Sequence, residues 1–262
     1  MAVAKEKDPR MSEREAYDLL AQGKYEDAFH AFRGSAELYS EEGNHKQSSL
    51  CFSSAASCWA LRQGEKALQN AAFSYESAAA EAAKARDLEY ASLLYRYAAI
   101  NYEKDMEFLK FSECFFLSRE CMRRYLMFSI FNPNKIHNIS TGKEQKWTHG
   151  IIKRIYHWLG LTFSAFLWGH GERPVRTFLC AILVIFGSSF VYTFGRFISN
   201  GVVFTPDFPK ALYFSTVTFT TVGYGDVTAV GLTKAVAMCE ALSGMFVGPL
   251  LIVSLSRKFL RV

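Results

Sequence analysis

Proline is missing from residues 10–128 of this 262-residue chain, which contains six prolines in all. Because proline interrupts helices, its absence leaves this long stretch free to form them. The stretch is rich in Ala, Leu, Glu and Tyr, and Gly23, Gly43 and Gly64 divide it at nearly even intervals. The pattern predicts successive helices joined by tight turns.

Other signals are missing too, and each absence excludes a class of protein. The phosphate-binding loops, dinucleotide-binding glycines, GxSxG and HExxH motifs of common enzymes do not occur, so we do not expect an enzyme. The N-terminal sequence MAVAKEKDPRMSEREAYDLL carries charges where a secretory signal needs an apolar core. We therefore expect the first domain to stay in the cytoplasm. Neither long apolar run carries arginine at every third position, which argues against a voltage sensor.

The six cysteines form no CxxC pair, which disfavours a zinc site. We interpret them as reduced, buried thiols. They are Cys51, Cys58, Cys114, Cys121, Cys180 and Cys239.

Charge is distributed unevenly along the chain. Residues 1–122 hold 15 Lys and Arg against 20 Asp and Glu, whereas the remainder carries a net charge of +10. The basic excess is concentrated just before the first long apolar run, which is typical of a segment beside a membrane. No nucleic-acid-binding motif accompanies it. We therefore expect membrane lipids, and no nucleic acid, as partners of this region.

Aromatic residues recur in the proline-free part at intervals of 20, 21, 22 and 20 residues, namely at Phe32, Phe52, Phe73, Tyr95 and Phe115. One helix and its turn fill that period, so the spacing predicts five or six helices packed as antiparallel hairpins. The segments GKYEDAFHAF and GEKALQNAAFSYESAA resemble tetratricopeptide-type repeats in architecture, although the Trp and Pro signature positions of that family are mostly absent. We interpret residues 1–131 as a helical-repeat domain that could bind an unknown protein or peptide; a plain helical bundle is the alternative.

Residues 132–172 separate this domain from the apolar part of the chain. The stretch NPNKIHNISTGKEQK has the composition of a linker. The apolar run that begins at Ile155 is 14 residues long, which is too short to span a bilayer. We expect an amphipathic helix that lies on the membrane surface, with a buried core helix as the alternative.

Two longer apolar runs follow, Val175–Ser199 and Leu232–Leu255, of 25 and 24 residues. Each is long enough to cross a membrane. Basic residues precede the first run and follow the second, so both flanks should face the cytoplasm and residues 200–231 the outside. The sequence thus predicts a multi-pass integral membrane protein with both termini in the cytoplasm.

Between the two runs, residues 221–225 read TVGYG within FPKALYFSTVTFTTVGYGD. With its flanking spans, this motif resembles the potassium channels that have two transmembrane helices, over residues 173–262. The resemblance implies an all-α pore domain in the cell (plasma) membrane, assembled as a homotetramer that conducts K+ passively, with K+ as the permeant ion and no cofactor. Its elements would be an outer helix at 175–199, a pore helix at 209–220, the filter at 221–225 and an inner helix at 232–255.

The residue types in the motif suit this chemistry. K+ must lose its hydration water to pass, and the backbone carbonyls of Thr221, Val222, Gly223 and Tyr224 can replace it, with the Thr221 hydroxyl closing the innermost site. Successive carbonyls can point to one side only if the backbone alternates between right-handed and left-handed conformations. Gly223 and Gly225 can adopt the left-handed conformation without a Cβ penalty. One chain supplies a quarter of each site, so four copies are expected.

The resemblance also implies residues that support the filter: Tyr213, Thr220, Asp226 and Glu240. Tyr213 can donate to Asp226, whereas many relatives have a glutamate where this chain has Val217. We expect Glu240 to pack behind the pore helix and to bond to its backbone or to Thr218. In the inner helix, Gly244, Gly248 and Pro249 are candidate gating hinges.

The helical-repeat domain is expected to modulate gating, because it is joined through the linker to the outer helix. A role restricted to assembly or localisation is the alternative. A membrane-anchored scaffold with a vestigial pore is a further alternative, which the intact GYGD sequence disfavours.

Overall fold

The structure is a computed structural model that describes residues 8–62, 64, 66–132 and 147–259. In that part of the chain there are ten α-helices and three short strands, which confirms the all-α prediction. The chain divides into two compact units, Met1–Thr162 and Phe163–Val262. Most of the predicted linker, residues 133–146, lies outside the described residues.

Six helices of 13 to 24 residues make up most of the first unit, in agreement with the five or six that were predicted. Each consecutive pair of these six helices packs together. They are α1 (Pro9–Ala21), α2 (Tyr25–Glu41), α3 (His45–Arg62), α4 (Ala67–Lys84), α5 (Leu88–Lys104) and α6 (Phe108–Phe131).

Four of the turns between these helices share one geometry. In each, a residue with φ between 60° and 77° follows the helix, and the next N–H donates to the carbonyl five residues earlier over 2.8–3.0 Å. This is the Schellman pattern, which satisfies carbonyls at the end of a helix. The left-handed residues are Gly23, Gly43, Arg86 and Met106. The regular sequence spacing therefore corresponds to a repeated turn, of which glycine marks only the first two.

Small side chains let α4 and α5 approach closely. Ala78, Ala91 and Ala98 are fully buried between them, and the hydroxyl of Tyr102 donates to Glu76 at 2.7 Å. Of the repeated aromatic residues, Phe32 and Tyr95 are buried, whereas half of Phe73 is exposed. The repeat therefore holds for turn geometry more strictly than for the burial of each aromatic side chain.

Glu81 is a buried carboxylate on α4 that is held by two partners. Lys84 Nζ donates to it at 2.7 Å, and His45 Nδ1 lies 2.8 Å from its other oxygen. Burial by itself would raise the pKa of Glu81, but the hydrogen bonds from Lys84 and His45 outweigh it, so the pKa is lowered. The charged form of Glu81 thus stabilises the packing of α3 against α4.

The prediction that the cysteines are buried thiols is correct for Cys51, Cys58, Cys114 and Cys121, which are buried and free. Burial raises the pKa of Cys51 and of Cys114 to about 12. The prediction is wrong for Cys239, which is exposed in the single chain, because the apolar helix that carries it is itself largely exposed.

Helix α7 (Trp147–Trp168) crosses the boundary between the two units. A 3₁₀ turn at Gly169–Gly171 follows it. The second unit continues with α8 (Pro174–Tyr192), β1 (Arg196–Ser199), β2 (Val202–Phe204), α9 (Phe208–Phe219), β3 (Thr228–Val230) and α10 (Leu232–Phe259).

In the described part of the chain, α8 and α10 are the two helices long and apolar enough to cross a membrane. Only 17% of the most apolar window of each is buried within the chain. Helices that are so apolar and so exposed require lipid or other protein copies around them. This distinguishes them from the core helices of a soluble protein.

The predicted end of the outer helix at Ser199 is wrong, because α8 ends at Tyr192. Gly195 lies so close to α10 that a Cβ there would come within 2.8 Å of Thr233. Phe197 then enters β1, where its side chain is fully buried. Hydropathy alone could not separate this short buried strand from a helical continuation. The inner helix extends to Phe259, beyond the predicted Leu255.

Candidate functional site

Helix α9 ends just before the TVGYG segment and fixes the position where that segment begins. Pro209 occupies its first turn, where the missing N–H costs no helical hydrogen bond. At its other end, the N–H groups of Thr220, Thr221 and Val222 donate to the carbonyls of residues 216, 218 and 217 over 3.0–3.1 Å. The segment therefore begins at the negative end of a helix dipole, which favours a cation.

The backbone of residues 221–225 alternates in hand. Thr221, Gly223 and Gly225 have φ values of 58°, 55° and 78°, whereas Val222 and Tyr224 do not have positive φ. The two glycines adopt this conformation without a Cβ penalty, as the sequence analysis required. Thr221 is a β-branched residue in the left-handed region, a conformation that costs of order 1–3 kcal/mol and is typical of functional sites.

Every residue from Thr221 to Asp226 is exposed in the single chain. Val222 is 53% exposed and Tyr224 is 70% exposed. One chain therefore presents an open ribbon of backbone. A desolvated cation needs oxygen ligands on all sides, which one ribbon cannot supply.

Two of the predicted support residues are in contact. The hydroxyl of Tyr213 donates to Asp226 Oδ2 at 2.9 Å, which links α9 to the residue just after the TVGYG segment. The hydroxyl of Thr220 donates to the carbonyl of Thr216 at 2.7 Å, so this side chain bonds back into α9. Val217 is partly buried on the same helix.

A small antiparallel sheet, which was not predicted from the sequence, holds the chain beyond Asp226. The strand order is β2-β1-β3, with Phe197 opposite Ala229 in the central pairing. Phe197 also packs edge-on against Tyr192 and Phe214 at ring-centroid distances of 5.6 and 4.9 Å. The sheet therefore connects the residues that follow the TVGYG segment to the end of α8 and to α9.

A signal for this sheet was present in the sequence. Asn200 and Gly201, with φ values of 50° and 79°, connect β1 to β2. Asn-Gly between two short apolar segments is a strong indicator of a two-residue hairpin.

Glu240 is buried within the second unit. Its carboxylate accepts hydrogen bonds from the hydroxyls of Ser215 on α9 and Tyr192 on α8, the latter at 2.5 Å. The expected bond to Thr218 is wrong, because Ser215 lies one helical turn earlier and faces the carboxylate. Glu240, on α10, thus links α8, α9 and α10.

The three candidate hinge residues lie within an unbroken helix. Helix α10 continues through Gly244, Gly248 and Pro249 to Phe259. A Cβ at Gly244 would overlap the carbonyl oxygen of Phe219, whereas one at Gly248 would meet no atom within 4 Å. The two glycines therefore have different surroundings, and their roles in gating stay predictions.

The basic ends of the two apolar helices lie together. Arg257 Nη1 is 3.9 Å from the carboxylate of Glu172, which is buried just before α8. A Cβ at Gly171 would come within 2.8 Å of the same guanidinium nitrogen. The start of α8 and the end of α10 are thus on one side of the unit.

Comparison with known proteins agrees with this arrangement. Residues 179–261 match the family model described as Ion channel. No curated protein and no solved structure matches the chain. The matched range contains α9, α10, the TVGYG segment and most of α8, and the family is one of channels rather than enzymes. The C-terminal part of this chain is therefore similar to an ion-channel domain and has two apolar helices suited to a membrane.

Proposed function

We propose that this protein is a potassium-selective channel that conducts K+ passively through a homotetrameric pore. The observation that carries the proposal is the alternating backbone of residues 221–225, placed at the negative end of α9 between two membrane-length helices. This conformation can direct the carbonyls of Thr221, Val222, Gly223 and Tyr224 toward one axis, where they replace the hydration shell of K+.

The exposure of the same segment supports assembly into four copies. The TVGYG ribbon is open to solvent in one chain, and α8 and α10 expose large apolar side chains such as Phe186, Leu242 and Phe246. A closed ring of identical subunits would surround the ribbon and cover part of this apolar surface. Lipid would cover the remainder.

The orientation follows from charge. Arg173, Arg176, Arg257 and Lys258 flank the two apolar helices, and Arg257 reaches Glu172 at the start of α8. By the positive-inside rule, the proposed orientation has both termini in the cytoplasm and residues 200–231 outside the cell membrane. Lipid headgroups are the natural partners of the basic flank.

Residues 1–131 are proposed to be a helical-repeat domain that modulates gating. The recurrent Schellman turns and the packing of each helix on its neighbours support a repeat architecture. Such domains present surfaces that suit helices or extended peptides, so a protein or peptide is the proposed partner. The domain precedes residues 132–172, the linker and surface helix, which lead into the pore domain at 173–262.

The test is ion flux in liposomes that contain only the purified full-length protein. We expect K+ efflux with little Na+ efflux from matched vesicles, and a tetramer by mass. Equal fluxes of the two ions, or no flux above that of empty vesicles, would contradict the proposal.

A further inference from the structure

A polar cavity of about 440 Å³ opens in the first unit, among α1, the end of α2 and the start of α3. Helix α1 lines it with Arg10, Glu13, Arg14 and Tyr17, at positions i, i+3, i+4 and i+7, which share one face of a helix. The buried Tyr39 of α2 also lines the cavity. A cavity of this size lies within the range of ligand-binding sites.

The carboxylate of Glu13 is held by donors from the chain itself. The hydroxyl of Tyr39 donates to Glu13 Oε2 at 2.9 Å, and Gln47 Nε2 on α3 donates to Glu13 Oε1 at 2.8 Å. Burial, together with the hydrogen bond to Glu13, raises the pKa of Tyr39 to about 12, so this hydroxyl stays protonated at neutral pH. Each oxygen of Glu13 therefore has a donor within the protein, and the carboxylate joins α1 to α2 and α3.

The guanidinium groups of Arg10 and Arg14 remain for a ligand. Both residues are exposed, and among the described residues neither forms an ion pair. Other arginines of the same unit, such as Arg33 and Arg62, pair with glutamates at 2.9 and 3.0 Å. Arg10 and Arg14 are one turn apart on α1, so both can reach one anionic group that enters the cavity. A guanidinium binds a carboxylate through two parallel hydrogen bonds.

The rest of the cavity wall adds a further donor and two apolar surfaces. Asn44 Oδ1 accepts the N–H of Gln47 at 3.3 Å, so the amide nitrogen of Asn44 is the group that can donate to a ligand. Tyr17 is 51% exposed, and Leu50, three residues beyond Gln47 on the same face of α3, is 43% exposed. This arrangement suits a ligand that carries an anionic group beside a large apolar one.

We propose that this cavity is the site at which the helical-repeat domain binds its protein partner, and that it takes an acidic peptide segment. A carboxylate of the segment binds Arg10 and Arg14, and a neighbouring apolar side chain packs on Tyr17 and Leu50. This inference rests on the proposed function, in which the domain binds a protein or peptide.

The charge of the whole domain makes such a site selective. Residues 1–122 hold 15 Lys and Arg against 20 Asp and Glu, so the domain as a whole repels acidic chains. Only a segment that places its carboxylate at the two arginines overcomes this repulsion. A peptide with the same apolar side chain and no carboxylate gains nothing from Arg10 and Arg14.

The test is the binding of a short fluorescent peptide to the purified full-length protein, measured by fluorescence anisotropy. The probe peptide contains Glu-Glu-Leu between serine and glycine residues, and the control peptide contains Gln-Gln-Leu instead. The protein variants are Arg10→Gln/Arg14→Gln and, as the matched control, Arg96→Gln, which changes an exposed arginine of α5 outside the cavity. Thermal melting of each variant shows whether the fold is kept.

We expect the acidic peptide to bind wild type and Arg96→Gln equally, and to bind the double variant about tenfold more weakly, because hydrogen bonds between charged groups contribute that much. Added salt should weaken this binding, because both arginines are exposed. Arg10→Glu/Arg14→Glu should reverse the preference, toward a peptide that contains Lys-Lys-Leu. A purely structural role of the two arginines does not predict this reversal.

Equal binding of the Glu-Glu-Leu and Gln-Gln-Leu peptides, or an unchanged affinity in the double glutamine variant, would overturn the inference. A wild-type protein that binds inorganic phosphate through Arg10 and Arg14 but does not bind the acidic peptide would also overturn it, in favour of a site for small anions. Peptide binding is measured without ion flux. A wild type that binds the peptide but conducts K+ and Na+ equally would therefore support the peptide site and contradict potassium selectivity.

Discussion

Truncation of Phe197 to alanine should strongly destabilise the segment that follows the filter. The ring is fully buried, lies edge-on to Tyr192 and Phe214, and is tilted against Phe204 at 6.4 Å between ring centroids. Removal of a buried Phe side chain costs about 3–5 kcal/mol, of which each lost aromatic pair accounts for about 0.5–1.5 kcal/mol. The cavity would open beneath Ala229, so β3 and the filter exit lose their support.

The assay is thermal unfolding of the purified tetramer, followed by the K+/Na+ permeability ratio of any tetramer that remains. Phe194→Ala is the matched control, because that ring is 77% exposed in the single chain. We expect Phe197→Ala to melt well below wild type and Phe194→Ala to melt near it. Equal melting temperatures for the two variants would refute the idea that the small sheet braces the filter exit.

Three further outcomes are expected. Met106→Gly should stabilise the chain by about 1 kcal/mol and Gly43→Ala should destabilise it by a similar amount, because both residues have left-handed backbone. Unfolding free energies of the two variants equal to that of wild type would contradict this. Glu81 has a lowered pKa, so its charged form stabilises the fold fully above pH 4.5 and less as the pH falls through the lowered pKa. Glu81→Gln should therefore melt below wild type at neutral pH and approach the wild-type melting temperature in acid. The control is Glu37→Gln, at an exposed carboxylate, which should not show this difference. Removal of residues 1–139 should leave a K+-selective tetramer with an altered open probability, and an unchanged open probability under every lipid and partner tested would favour an assembly role.

The parts of the fold that depend on periodicity could be predicted from the sequence. The helices of the first unit follow from regular spacing, and α8, α9 and α10 follow from apolar length and from the TVGYG segment. The turns at Arg86 and Met106 could not be located by composition, since glycine is absent there. Arg86 and Met106 are 20 residues apart, as are Gly23 and Gly43, and this interval was the available signal.

The parts that depend on close approach could not be predicted. The sequence marks Gly244 as a small residue in an apolar helix, a pattern equally typical of a hinge and of a packing contact. Glu240 was expected behind the pore helix, but whether Ser215 or Thr218 faces it depends on the rotation of α9, which the sequence does not specify. The strand containing Phe197 was hidden because a short apolar run suits both a helix and a strand.

The central claim is tested most directly by the reversal potential of single channels with K+ on one side and Na+ on the other. The wild-type protein should reverse near the K+ equilibrium potential, and Gly223→Ala should lose this selectivity while still forming tetramers, because a Cβ opposes the left-handed backbone of the filter. Gly231→Ala places the same strain at φ 64° outside the filter and should keep the wild-type reversal potential. A Gly223→Ala channel that reverses where wild type does would contradict the assignment of residues 221–225 as the selectivity filter.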